Sequence, residues 1–81
     1  MSKLTAPDKK KALTHRLARV EGQLRGVQRL IQDEADCEKI AQQLAAARKA
    51  LDKSFFIMVA CMIEQEQIPA EQAAELLAKF A

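Results

Sequence analysis

Two thiols, a thioether and a carboxylate carry most of the chemistry that this sequence offers: Cys37, Cys61, Met62 and Glu66. A cysteine thiolate is a nucleophile toward electrophiles and a soft ligand for metals. Cys37 falls in the first turn of a predicted helix, where the dipole and free N–H groups favour the thiolate. Its neighbours Asp36 and Glu38 oppose that effect. Met62 and Glu66 share the helical stripe of Cys37 but lie about 37 Å or more further along at 1.5 Å per residue. They cannot meet Cys37 within one chain. In a symmetric antiparallel pairing of two such helices, Cys37 of one copy lies close to Met62 and Glu66 of the other, giving two equivalent sites per dimer. Its two sulfurs, Cys37 and Met62, form a soft donor pair suited to Cu(I). Cys61 is offset from the stripe by about 120° on a straight helix. Inside the run from Val59 to Ile63 it reads either as a small core side chain or as a second sulfur working with Cys37.

Enzyme chemistry finds no support. His15 is the one histidine, on a basic helix with no carboxylate at neighbour spacing, so no acid–base pair forms. No glycine-rich phosphate loop follows a strand, because no strand is predicted. Two cysteines 24 residues apart make neither a disulfide framework nor a zinc finger. The longest uncharged stretch, Ser54 to Ile63, is ten residues, about half of what a bilayer span needs. The opening residues hold no apolar signal core, so the chain is expected to be cytoplasmic, where thiols stay reduced.

The formal net charge of +2 conceals an uneven distribution. Residues 1–34 hold eight Lys/Arg against four Asp/Glu, a net of +4, whereas residues 35–81 hold five against seven, a net of −2. Lys9, Lys10 and Lys11 open the first helix, Arg16, Arg19, Arg25 and Arg29 follow along it, and Arg48, Lys49 and Lys53 mark the second. Repeated in several subunits, these cations form an electrostatic footprint for a phosphate backbone. With no helix-turn-helix spacing, readout would lean on backbone contacts and DNA shape. The plain alternative is a set of solvated helix faces.

The elements that must hold these groups are helices. Few glycines and prolines, three aromatics and abundant Ala, Leu, Gln, Glu, Lys and Arg favour an all-α chain. Thr5-Ala6-Pro7-Asp8 reads as a start, with Thr5 as cap. Leu13, Leu17, Val20, Leu24, Val27 and Ile31 then alternate four and three residues apart as a coiled-coil-like seam, predicting a helix over 7–32. Gly22 and Gly26 lie off the seam and suggest either close approach by another backbone or tolerated surface glycines. Asp36 caps a second helix over 37–66, with Cys37, Ile40, Leu44, Ala47, Leu51, Phe55, Met58, Met62 and Glu66 on one stripe. Between residues 54 and 63 the remaining faces are apolar too, which predicts burial on all sides and further chains packing there. A short third helix is predicted over 69–80. One domain of 81 residues buries a modest core unless oligomerisation supports it. The expected architecture is therefore two long antiparallel helices plus a short C-terminal one, dimerising into a four-helix bundle.

The block from His15 to Val27 (HRLARVEGQLRGV), then Cys37, Gln42 to Arg48 (QQLAAAR) and Leu51-Asp52-Lys53 resembles the copper-sensitive operon repressor family, which also contains nickel/cobalt and formaldehyde sensors. The resemblance runs from about residue 9 to 66 without gaps. It implies an all-helical repressor that assembles as a dimer of dimers and binds operator DNA through basic helix faces. Effector binding at the cysteine then favours a tetramer that releases DNA. Arg16 and Lys53 match family residues used for DNA, and Cys37 matches the sensing cysteine.

The departures narrow the effector. Met62 stands where copper sensors carry histidine and Glu66 where they carry a second cysteine, so the trigonal copper set is broken. The extra histidines of nickel/cobalt sensors are missing, as is the second cysteine of persulfide sensors, unless Cys61 replaces it. Formaldehyde sensors keep the cysteine and a glutamate corresponding to Glu66, but use an N-terminal proline amine where this chain would begin at Met1 or Ser2. The sequence therefore predicts a repressor whose effector reacts with or coordinates Cys37. Sulfane sulfur or formaldehyde stands ahead of Cu(I), because a thiolate is a good nucleophile while Met and Glu poorly replace His and Cys on copper. The alternatives are a Cu(I) sensor using Cys37, Met62 and Glu66 or Cys61, and, from another class, a helical adaptor for a partner protein. The expected partners are operator DNA and further copies of the chain, as homodimer and homotetramer, with no membrane.

Overall fold

The computed structural model describes residues 3–80, which form three helices and no strand: α1 Pro7–Gln32, α2 Cys37–Glu66 and α3 Ala70–Phe80. The all-α, three-helix protomer predicted from composition and periodicity is what is observed. Met1 and Ser2, on which the expected amino terminus rests, lie outside the described residues. The helices α1 and α2 form an antiparallel hairpin, while α3 folds back on α2 and does not pack on α1.

Local chemistry accounts for the boundaries. The cap position of α1 is Ala6, not Thr5, and no side chain caps it. Pro7 at the first helical position loses little there, because its missing N–H has no helical partner anyway, and Asp8 complements the dipole. At the far end Glu34 adopts φ 57°. Its N–H bonds the Ile31 carbonyl at 3.2 Å and that of Ala35 the Leu30 carbonyl at 2.9 Å, the paired bonds of a Schellman stop. Asp36 then caps α2, accepting from the Glu38 N–H at 3.1 Å. Gln67, at φ 52°, ends α2 the same left-handed way, and Pro69 precedes α3.

Packing separates what the sequence reads as single stripes. Val20 and Val27 of α1 are buried, as are Ala47, Ser54 and Cys61, three small residues spaced by seven on α2. Small side chains in that column let the helices lie close. The Ser54 hydroxyl is satisfied by donating to the Ala50 carbonyl at 3.1 Å. The larger members of the same stripes turn outward: Leu17, Leu24 and Ile31 are 40–55% exposed, Leu44 and Leu51 46–48%. Leu17 lies beside Leu51 in one apolar groove. The short turn brings Leu24 level with Leu44 and Ile31 level with Cys37, so both columns make one continuous face.

The structure bounds two further expectations. A Cβ built on Gly22 or Gly26 meets nothing within 4 Å, so no backbone of this chain approaches them. The all-round apolar segment is also partly covered in cis. Val59 lies about 140° around α2 from Ser54, out of reach of α1, yet is 6% exposed. Among the described helices α3 is the other element that contacts α2, so part of the apolar segment is available for burial within the chain.

Glu34 holds a left-handed conformation that glycine adopts without a Cβ penalty. Glu34→Gly should therefore raise unfolding free energy by about 0.5–1 kcal/mol, read from the urea midpoint at fixed protein concentration.

Candidate functional site

The outward leucine face contains the candidate sensor. At 100° per residue, Cys37, Met62 and Glu66 lie within about 60° of the Leu44–Leu51 column. Cys37 and Glu66 are exposed and Met62 is half-buried. They mark opposite ends of α2, so no single chain assembles them, and no group of three metal-binding side chains occurs among the described residues. The thioether and thiolate are both soft donors and fit Cu(I), whereas the carboxylate adds a hard donor to that pair. Cys61 faces elsewhere. It belongs to the buried column against α1, and both cysteines are free.

The cations sort by face. On α2, Lys49 and Lys53 project from the side opposite the leucines, and on α1 Arg19 points to that same side, with Arg16 half-buried at its edge. The antiparallel turn sets these four at similar heights on the hairpin. Arg25, Arg29 and Lys11 line the outer edge of α1, Lys10 the flank nearer the leucine face, and Arg48 that same flank of α2. The structure thus gathers Arg16, Arg19, Lys49 and Lys53 on one side and leaves Lys10, Lys11, Arg25 and Arg48 outside that group. His15 is exposed.

Sequence spacing gives no sign of how the open end of the hairpin is clasped. The Lys9 ammonium lies 3.3 Å from the Glu64 carboxylate, and the Gln65 amide donates to the Lys3 carbonyl. Beneath the residues before α1 is a cavity of about 470 Å³ with Cys61 in its wall. Lys9 therefore acts as a clasp across 55 positions, which no helical neighbour rule reveals, rather than as a free cation at the helix start. Its pKa is raised, first by the hydrogen bond to Glu64, then by attraction to Glu64 and to Cys61.

Two measurements follow from these placements. In the native reduced protein iodoacetamide should alkylate Cys37, and should reach Cys61 only as the hairpin opens; intact mass followed by digestion reads the order, and equal rates would contradict the burial. Because Lys9 has a folded pKa above its ordinary 10.5, the clasp contributes fully below that pH and is lost as pH rises through the folded value. The stability gap between wild type and Lys9→Gln, small for an exposed pair, should close above pH 10.5 in urea titrations on either side of it.

No helix among the described residues is long and apolar enough to cross a membrane. No solved structure matches the chain. The family model for metal-sensitive transcriptional repressors matches residues 9–81, which takes in the basic hairpin, both cysteines and α3. The match spans nearly the whole chain and all three helices, and the chain belongs to the metal-sensitive transcriptional repressor family.

Proposed function

We propose that this repressor binds operator DNA as a dimer of dimers and releases it when an effector reacts with or binds Cys37 at the interface between two subunits. The observation that carries the reading is the position of Cys37: an exposed thiol at the end of an otherwise unpartnered leucine face. Pairing that face with its copy through a two-fold axis brings the partner's Met62 and Glu66 towards Cys37. The opposite side, with Arg16, Arg19, Lys49 and Lys53, is left for phosphates. Sulfane sulfur or formaldehyde is the preferred inducer class, since either needs one nucleophilic thiolate and no complete soft ligand set. The metal sensitivity of the family favours a second reading, Cu(I) held by Cys37 and Met62 with Glu66 or Cys61.

Operator release and intact mass separate the two readings. Polysulfide or formaldehyde should release DNA from the wild type while adding mass at Cys37, and Cys37→Ala should stay bound. Release by Cu(I) alone, dependent on Cys37, decides for the metal. Release that ignores Cys37 for every inducer sinks both readings. Lys53→Ala should weaken binding across sequences and reduce the salt slope by about 1 for each phosphate that is no longer neutralised. If the protein shows no salt-dependent DNA binding, the adaptor alternative takes over.

A further inference from the structure

The side of the hairpin opposite the leucines changes character along its length. Its middle holds the cations Arg16, Arg19, Lys49 and Lys53. Its turn end is acidic, with Asp33, Glu34, Asp36 and Glu38 against one base, Lys39, all of them exposed. Between the two lies a pair of exposed amides. Gln42 precedes Lys49 by seven residues and shares its column on α2, while Gln23 follows Arg16 by seven and leans toward the groove between the helices. Because Leu24 stands level with Leu44, Gln42 stands level with Gly26 and Gln23 with Ala45. A Cβ built on Gly22 or Gly26 meets nothing within 4 Å, so the α1 backbone beside Gln42 is open. Neither amide takes part in the side-chain hydrogen bonds of the described residues, which leaves a donor and an acceptor on each for a partner.

We propose that Gln42 and Gln23 read adenine in the major groove of the operator, while the four cations hold the flanking phosphates. The assignment rests on the operator-binding reading above and names the residues that select sequence within it. A carboxamide presents a carbonyl that accepts and an amino group that donates. Adenine matches that pair with its N6 amino group and N7, whereas lysine and arginine have donors only and pair with guanine.

Geometry supports the division of labour. Two packed helices, each about 10 Å across with axes about 10 Å apart, make a slab roughly 20 Å wide. The major groove is about 12 Å wide, so the hairpin lies across it and side chains must reach down from a flat face. Bare backbone at Gly22 and Gly26 lets that face come closer. Seven residues of helix set Gln42 about 10 Å from Lys49, and Gln23 as far from Arg16. With the cations on phosphates at one edge of the groove, the amides stand over its base pairs. The acids at the turn repel phosphates from the far end of the face, so the cations mark that edge.

The test uses the full chain to enrich duplexes from a random-sequence pool, with circular dichroism and light scattering as checks on folding and assembly. Wild type should enrich duplexes with adenine at fixed positions related by two-fold symmetry. Gln42→Ala, a change that favours the helix, should bind those duplexes roughly fivefold to a hundredfold more weakly. Its binding to a scrambled duplex and its salt slope should stay as in the wild type. Gln42→Lys should move the enriched base from adenine to guanine at one position of each repeat, which a purely structural role would not do. Gln23→Ala should relax a neighbouring position. If both Gln42 variants enrich the same sequences as wild type, shape alone is read and the amide assignment falls. It falls equally if Gln42→Ala loses the same factor on enriched and scrambled duplexes. A wild type with no salt-dependent DNA binding overturns the repressor reading itself.

Discussion

Everything in this chain depends on an inversion of the usual order of burial. Between α1 and α2 the deepest residues are small: Ala47, Ser54 and Cys61 on one helix, two valines on the other. The leucines and an isoleucine, with the most apolar area to remove from water, face out. Half-exposed, each forgoes about 1 kcal/mol of burial. Five of them amount to about 5 kcal/mol per chain, comparable with the whole stability of a small domain. A hairpin with that deficit is half of a core, and in the dimer proposed above a second hairpin of the same shape supplies the other half.

In the proposed repressor, that constraint accounts for the position of the sensing thiol. A thiol on the solvated back of α2 would report on its surroundings without influencing subunit packing. A thiol in the Ala47–Ser54–Cys61 column could be modified only by breaking the protomer. Cys37 lies at the rim of the leucine face, and in the proposed dimer atoms added there or a bridging ligand would act on the relation between subunits while each hairpin stays intact. In that assembly the spacing between the basic faces would change with subunit geometry. By linkage, whatever the effector does to operator affinity, the operator does equally to effector affinity.

Much of the fold was legible because it is local. Asp36 reads as a cap and is one; the left-handed stop at Glu34 carries no glycine and so gives no such signal. The four-three alternation reveals two helices but merges their two columns, since Val20 and Leu24 look alike in a hydropathy pattern. Only packing shows that valine faces inward and leucine outward. Periodicity shows that α2 is apolar on several sides but cannot show that α3 returns against it. The Lys9–Glu64 clasp was illegible for the same reason: its partners are distant in sequence. Of the site, Cys37 and its distance from Met62 and Glu66 were readable from rise per residue alone. The segregation of Arg16, Arg19, Lys49 and Lys53 from the other cations required the hairpin.

Gly22 and Gly26 complete the division of the hairpin into faces. Each costs about 1 kcal/mol relative to alanine in a helix, and no neighbour within the chain requires either one. Both fall on the α1 surface turned away from the leucine column, on the side shared with Arg19, Lys49 and Lys53. Across the turn, the small Ala46 of α2 stands at a similar height. Bare backbone flanked by cations on one side, and leucines ending in a thiol on the other, give the hairpin two chemically distinct faces. In the proposed repressor, the helices in between are the rigid element through which a change at one face would reach the other.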